Sequence, residues 1–581
     1  MKHYFNSSIK TFLAFLAIGL CASCSDVWDS HYSVDPEVVP DMTILEQLES
    51  NPSTQQFVKV LKTTKTYNGK KIVDAVTYYD LLKSDQFLTV WAPDDKAMAE
   101  LPDLAAYTKE NKTPEENYLV SQRFLKNHIA RFNNPVGKVG KRVTMMSGKH
   151  YEMFLDRIQS AGYTSKNLAC SNGILHIISG SIDYKPSLYE YITTSDEYKE
   201  NIGGFIAKYT KYEIDEAKSV AAGVVDGKTV YADSVLKEVS IILDKFGYIN
   251  REDSLYNVVL PNKDALNSMI KKISDNFDFG NIDTEDDSLQ TFWLNNAILT
   301  DAFFNMNKAT QPFMTTDDND YSFFASTTFN LDEYLATYKD YHIYDMTPGN
   351  RFFDACLVDS VECSNGTIYV CSEWPFDPSR TYNAPIMREA EMANGRIPSV
   401  EVTNVTEYNV LNIKNQEYLD EPIYLDQISR QKLLIINGKN AVTDRWKVTF
   451  NIYDNLKGYY NIYAVVFPNC ITGNIVPPKT NMFTAKVNYV DTTGVYQEYY
   501  MTDARRRAMT FENRKAVVDT IMIADHLFLH NCNLGQPDAR VEVVLECNIT
   551  SSKVSQGYSN TMLLDGILLE PVEKPAEKPV E

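Results

Sequence analysis

Leu88-Thr89-Val90-Trp91-Ala92-Pro93-Asp94-Asp95-Lys96-Ala97 is an apolar run stopped by a proline and followed by two carboxylates. It reads as a short strand ended by Pro93, after which Asp94 and Asp95 open a helix carrying Ala97, Met98 and Leu101. Carboxylates suit that position because the first turn leaves N–H groups unpaired and carries the positive end of the helix dipole. The block then recurs. Tyr256-Asn257-Val258-Val259-Leu260-Pro261-Asn262-Lys263-Asp264-Ala265 has the same apolar run, proline and polar cap. Leu125-Lys126-Asn127-His128 is matched by Trp293-Leu294-Asn295-Asn296, and Ser171-Asn172-Gly173-Ile174-Leu175-His176 by Ser364-Asn365-Gly366-Thr367-Ile368-Tyr369. Pro93 to His128 spans 35 positions, and so does Pro261 to Asn296. A repeat of this size means tandem copies of one domain.

Outward from the blocks, Thr43 followed by Glu46 has the spacing of a capping box. Leu45 and Leu48, then Phe57, Val60 and Leu61, predict two short helices. Asn172-Gly173 and Asn365-Gly366 lie between β-rich runs, a hairpin signal with a local mechanical reason.

These motifs resemble the fasciclin domain. That family opens with helices and has a strand of the T-V-F-A-P-T-D-x-A-F type, a central leucine-histidine helix and a closing N-G-x-x-H-x-I strand. The first copy matches at Thr89, Ala92, Pro93, Asp95, Ala97, Leu125, His128, Asn172, Gly173, His176 and Ile178, and departs with Trp91 and Met98 in place of phenylalanines. The second copy is worn. Leu260-Pro261 stands for Ala-Pro, Asn296 for the helix histidine and Tyr369 for the strand histidine, while Asn365 and Gly366 are kept. His128 to Asn172 is 44 positions, whereas Asn296 to Asn365 is 69, an extra 25. The insertion is expected near 317–344. The resemblance implies a compact β-sandwich wedge decorated by helices, with both histidines hydrogen-bonded across the core.

After about residue 380 helical spacing fades. Short β-rich runs follow at 400–405, 432–436, 446–453, 459–467, 483–489, 520–523 and 541–547, which predict an antiparallel sandwich or jelly roll. Leu563-Leu564-Asp565-Gly566-Ile567-Leu568-Leu569-Glu570-Pro571 and Val518-Asp519-Thr520-Ile521 resemble strands of galactose-binding-like jelly rolls. The expected fold class is therefore α+β and all-β multidomain: two fasciclin-like β-sandwich/helix wedges followed by a jelly-roll-like sandwich. The expected boundaries are a lipoprotein signal peptide at 1–23, a tether at 24–40, fasciclin-like domains at 41–185 and 186–380, the sandwich at 381–572 and a disordered tail at 573–581.

The first residues read as an address. Lys2 and Lys10 precede an apolar run at 11–20, the length of a signal core and too short to span a bilayer. Leu20-Cys21-Ala22-Ser23-Cys24 resembles the bacterial lipobox. That resemblance makes Cys24 the acylated residue and anchors the chain in a membrane without a spanning helix. An ordinary secretory signal cut nearby is the alternative. Acidic residues soon after Cys24 resemble the surface-export signal of some outer-membrane lipoproteins, so a surface-exposed place on the outer membrane is expected. A solvated tether explains the same residues.

With 581 residues, 44% hydrophobic and 23% charged, the chain has the composition of globular domains. A net charge of −21 repels phosphate backbones and excludes nucleic acid as the expected partner. Seven cysteines follow the signal region, with no CxxC pair and no zinc spacing. Most are expected to be buried thiols, and Cys363 and Cys371, flanking one predicted strand, form a candidate disulfide. His128 and His176 have no carboxylate or thiol partner by spacing, which favours a structural role over a metal site. The acidic runs around Asp283–Asp287 and Asp317–Asp320 lack the alternation and central glycine of a calcium loop.

No GxSxG, HExxH, P-loop or dinucleotide fingerprint occurs. The expectation is a non-catalytic protein without cofactor or metal. It would bind a glycan or a surface protein, as an adhesin or as an accessory of a polysaccharide-uptake system. Trp446, Tyr459 and Tyr460 are candidates for sugar stacking in the sandwich, although their place in predicted strands favours core packing for each. A glycan hydrolase with an unrecognised site and a structural protein of an envelope assembly are the rivals.

Overall fold

The computed structural model describes residues 41–575, apart from 69–70, 85, 215–219, 226–227, 234–235, 281–287, 301, 307–312, 315–347, 392–395, 399–403, 410–412, 439–444 and 536–540. The signal segment, the tether with Cys24, the acidic runs, the expected insertion and the end of the tail lie outside the described residues. The chain is mixed helix and strand with several β-sheets, and it forms two compact units, Met1–Pro186 and Ser187–Glu581.

In the first unit a seven-stranded sheet runs Ile129–Arg131, Leu88–Pro93, Gly173–Ile178, Ala161–Cys170, Arg157–Ile158, His150–Met153, Lys141–Thr144. Leu88–Pro93 and Gly173–Ile178 pair in parallel, Leu88 opposite Gly173 and Pro93 opposite Ile178. All residues of both strands are buried, because each strand is covered on both faces. Alternation then sorts the side chains. Val90, Ala92, Leu175 and Ile177 pack with the helices Ile44–Ser50 and Gln55–Thr63. Trp91 and Ile178 pack on the opposite side with Val143, Tyr151, Met153 and Ile158 from the hairpin strands. The predicted capping box is present, with Thr43 accepting from the Glu46 N–H and Glu46 accepting from the Thr43 N–H at 2.7 Å. Asp94 caps the helix Asp95–Ala99 through the Ala97 N–H at 2.8 Å.

The first part of the second unit repeats this pairing scheme. Tyr256–Pro261 runs parallel to Gly366–Cys371, Tyr256 opposite Gly366 and Pro261 opposite Cys371. Ser187 and Glu190 form the capping box of the helix Leu188–Thr194, and Asn262 caps the helix Lys263–Ile273 through the Ala265 N–H at 2.9 Å.

Beyond residue 380 two six-stranded sheets carry the chain. One orders Asn404–Asn409, Lys432–Asn437, Met562–Val572, Gly458–Phe467, Asp519–Leu529, with Ile386–Glu389 also on Met562–Val572. The other orders Arg396–Pro398, Lys447–Ile452, Val541–Cys547, Met482–Val490, Tyr496–Tyr499, with Thr510–Glu512 also on Met482–Val490. Both inner faces feed one core that includes Trp446, Phe450, Tyr460, Ile462 and Phe483. The strand expected at 400–405 is instead placed at Asn404–Asn409, after the short Arg396–Pro398, and 399–403 lie outside the described residues. The boundary expected near residue 380 falls inside the second unit. There Leu456, Cys532 and Leu534 of the sandwich belong to the same apolar cluster as Phe277, Phe279 and Leu294. Lys457 bonds Asp275 at 2.7 Å and Asp278 at 2.9 Å across that seam.

Candidate functional site

The residues singled out by sequence divide into a scaffold and a small number of surface groups. Thr89 donates its hydroxyl to the Phe132 carbonyl at 2.7 Å and accepts the Asn134 N–H at 2.8 Å. Ala92 is fully buried, Pro93 closes its strand, and Asp95 accepts the Gln56 N–H at 2.8 Å. Pro261 closes the equivalent strand of the second unit. His128 contacts the Phe124 carbonyl at 2.8 Å through Nδ1 and accepts the Ile182 N–H at 2.9 Å through Nε2. His176 accepts the Asn167 N–H at 3.2 Å through Nδ1, contacts the Asn134 carbonyl through Nε2 at 3.1 Å, and stacks on Trp91 with ring centres 5.3 Å apart. Burial holds both imidazoles down to about 4, so both are neutral at neutral pH. Asn296, in the place of His128, keeps the bond to the carbonyl four residues earlier, Phe292 O at 2.7 Å. Its own side-chain oxygen is buried without a partner among the described residues.

The hairpins expected at Asn172-Gly173 and Asn365-Gly366 are present, with the loop one residue earlier than the Asn-Gly pair. Cys170 pairs with Gly173, so the loop is Ser171-Asn172 and the glycine is the first strand residue. In the second unit Cys363 pairs with Gly366 in the same way. Gly173 has φ +146°, and a Cβ there would sit 1.8 Å from the Leu88 carbonyl oxygen. At Gly366 the figures are +152° and 1.7 Å from the Tyr256 oxygen. The glycines are required by this close strand approach, not by turn chemistry.

The candidate disulfide is not formed. None of the seven described cysteines is in a disulfide, and all are buried. Cys363 and Cys371 lie at opposite ends of the strand pair, since Cys363 opposes Gly366 and Cys371 opposes Leu357. The sugar-stacking candidates also change. Trp446 is in the core and donates its indole N–H to the Asn560 carbonyl at 2.6 Å, and Tyr460 is in the core with its hydroxyl on Leu456. Their strand positions face inward, and buried aromatic polar tips find partners there. Tyr459 alone is half-buried on the outer sheet face, against Phe528 at 4.7 Å.

A concavity lies elsewhere. A cleft of about 600 Å³ opens between the helix Lys263–Ile273 and the segment 372–382 that follows the closing strand. Trp374, Phe376 and Tyr382 supply aromatic walls, with Trp374 against Phe376 at 4.8 Å. Trp374 is half-buried, and its indole N–H has no hydrogen-bond partner among the described residues. Asp264, Ser268 and Lys272 line it from the helix and Glu373 from the segment, all exposed. The signal missed in the sequence is Glu373-Trp374-Pro375-Phe376, an aromatic and proline cluster shortly before the expected boundary at 380. Elsewhere, Glu389 and Asp565 are buried at the seam of the sandwich, where Glu389 accepts from the Ser429 hydroxyl. No group of three His, Cys, Asp or Glu side chains arranged for a metal occurs among the described residues.

The strand pairing, the buried histidines and the NG strand of the first unit together meet a known pattern. Residues 54–182 match the fasciclin domain family. The matched span holds the fasciclin landmarks from Thr89 to His176 and ends at Ile182, whose N–H is held by His128. No curated protein matches the chain in sequence. Among solved structures the chain is similar to a xylan-binding domain from carbohydrate-binding module family 22, at 8% identity over 32% of this chain and 93% of that one, TM-score 0.19. It is similar to the C-terminal family 22 module of Clostridium thermocellum Xyn10B, at 9% identity over 34% and 98%, TM-score 0.20. A family 11 carbohydrate-binding module from Clostridium thermocellum is similar at 10% identity over 33% and 98%, TM-score 0.17.

Proposed function

We propose that this chain is a non-catalytic adhesion protein of the cell envelope that binds a glycan. Residues 54–182 are its fasciclin domain and residues 187–380 a divergent second copy. The observation that carries the reading is the cleft beside Trp374. A sugar ring offers an apolar C–H face and a rim of hydroxyls. Trp374, Phe376 and Tyr382 match the first, and the exposed carboxylates of Asp264 and Glu373 and the hydroxyls of Ser268 and Ser372 match the second. A glycosidase needs one carboxyl kept protonated by an apolar pocket. Asp264 and Glu373 are exposed at the rim, which suits acceptors of hydroxyl hydrogen bonds better than a proton donor.

The anchor belongs to the same reading. Acyl chains on Cys24 hold the chain on the outer membrane, surface-exposed, and the residues before the first helix give reach. Changing Cys24 to Ala releases the chain from the membrane fraction after a high-salt wash; retention under that wash contradicts the lipobox.

The cleft is tested with the purified protein on immobilised plant and host glycans. Saturable binding without product, weakened at least about tenfold by Trp374→Ala, supports the reading. Product formation overturns it in favour of the hydrolase, and capture of envelope proteins with no glycan retained favours the structural rival.

A further inference from the structure

The fasciclin domain carries a charge opposite to that of the chain. Residues 120–170 hold nine Lys or Arg against two acidic residues, a net +7 within a chain of −21. Lys149 is buried, and most of the other cations are exposed or half-exposed. Several of these cations gather at one tip of the seven-stranded sheet. Phe154 N–H bonds the Arg157 carbonyl at 2.8 Å and closes the turn between two hairpin strands. Lys166 reaches the Leu155 carbonyl at 2.7 Å. Asn167 holds Val136 by two bonds, its Oδ1 accepting the Val136 N–H at 2.7 Å and its Nδ2 donating to the carbonyl at 3.0 Å. The backbone at Gly140 lies against Phe154, so 136–141, 153–157 and 166–167 form one surface.

That surface shows water what a core would hide. Val139 is 81% exposed, Leu155 50% and Phe154 38%. Around them stand Lys138, Lys141, Arg157 and Lys166, with Asp156 as the one acid, paired to Arg157 at 3.2 Å. Apolar tips set in a ring of cations fit an interface where hydrocarbon lies just below a layer of anionic groups.

We propose that this tip docks on a lipid surface bearing anionic head groups. Val139, Phe154 and Leu155 enter the boundary between head groups and acyl chains, and Lys138, Lys141, Arg157 and Lys166 pair with head-group phosphates. The charge complementarity selects that occupant, because the rest of this acidic chain is repelled by the same surface. Exposed apolar side chains favour a bilayer over an anionic polysaccharide, which presents charge without an acyl layer. The inference is independent of the glycan cleft, which lies in the other unit.

The test uses the chain from Ser25 onward, which carries no acyl groups, with vesicles of phosphatidylcholine alone and of phosphatidylcholine mixed with phosphatidylglycerol. Co-sedimentation with the mixed vesicles, weakened by salt and weak on phosphatidylcholine alone, is expected. Val139→Asp with Leu155→Asp lowers binding about tenfold or more, and Lys138→Ala lowers it about fivefold. All three positions are exposed, so melting temperatures confirm that the variants fold. No binding to mixed vesicles overturns the inference. So does binding that ignores the Val139 and Leu155 changes. Binding to polygalacturonate that responds to Lys138 but not to Val139 and Leu155 assigns the tip to a polysaccharide instead.

Discussion

The side-chain oxygen of Asn172 accepts the backbone N–H of Ile44 at 2.8 Å, across 128 residues. Its amide donates back to the carbonyls of Leu82 at 2.9 Å and Ser84 at 3.1 Å. Asn365 does the same in the second unit. It accepts from Leu188 N–H at 2.8 Å and donates to Ile249 at 2.7 Å and Arg251 at 2.9 Å. One buried amide thus satisfies the start of the first helix and the loop before the block strand in each copy, groups that have no intrahelical partner of their own.

Replacing Asn172 with Ala leaves two buried backbone groups and one part-buried carbonyl without this partner. Each costs about 1 kcal/mol or more, so the first unit should lose about 2–4 kcal/mol. Asn172→Asp keeps the acceptor for Ile44 but sets a carboxylate against two carbonyls, and should destabilise further. Urea denaturation of both variants checks the order; Asp milder than Ala would contradict the assignment of donors.

Gly173→Ala should be among the worst single changes in the chain. The added methyl meets the Leu88 carbonyl oxygen at 1.8 Å in a backbone conformation that L side chains avoid. A loss above about 3 kcal/mol is expected in thermal melts. A near-normal melting temperature would show that the two parallel strands separate easily.

Acid should loosen the fasciclin domain before it touches its carboxylates. His128 and His176 titrate near 6.5 when unfolded and near 4 when folded, chiefly because burial disfavours the charged ring. The folded state therefore binds fewer protons between those values. Stability is full above pH 6.5, falls as pH drops towards 4, and levels below it. The fall is up to roughly 3 kcal/mol per histidine. Denaturant midpoints measured from neutral pH down to pH 4 test this, and a flat profile removes both histidines from the account.

Lys457→Ala should weaken the second unit by about 1–2 kcal/mol, since this mostly buried ammonium bonds both Asp275 and Asp278. A double-mutant cycle with Asp278→Ala should show coupling, whereas additive losses would mean the pair contributes little.

The described cysteines should resist thiol reagents. All seven are buried, and burial pushes Cys170 up to about 12. Mass spectrometry of the chain from Ser25 onward should find no labelled thiol at neutral pH until denaturant is added. Rapid labelling of the folded protein would mean that a core opens locally.

Much of the scaffold was legible because its signals are local. A proline ending an apolar run, a carboxylate or asparagine three residues before a free N–H, and a 2- or 3.6-residue period all act within one turn or one strand. They sufficed for the capping box at Thr43, for the helix after Asp94 and for most sandwich strands. The same locality misled where partners come from afar. Asn-Gly marked the hairpin but not its full reason, since Asn172 also serves Ile44 and Gly173 makes room for Leu88. Cys363 and Cys371 are near in sequence, but a strand pair holds them at opposite ends. Trp446 and Tyr460 advertise aromatic surface, but sheet alternation turns them inward while leaving Tyr459 half outside.

By itself the sequence determined the repeated block, its caps and strand ends, and the fasciclin pattern in the first unit, since these depend on neighbours along the chain. Only the tertiary structure decided which side chains are buried and which face water. It placed Trp374 beside Asp264 in a cleft, joined the first part of the second unit and the sandwich in one apolar cluster, and set Val139, Leu155 and their lysines on one tip. Those arrangements rest on contacts between segments tens to hundreds of residues apart, where no local pattern in the chain can fix which groups meet.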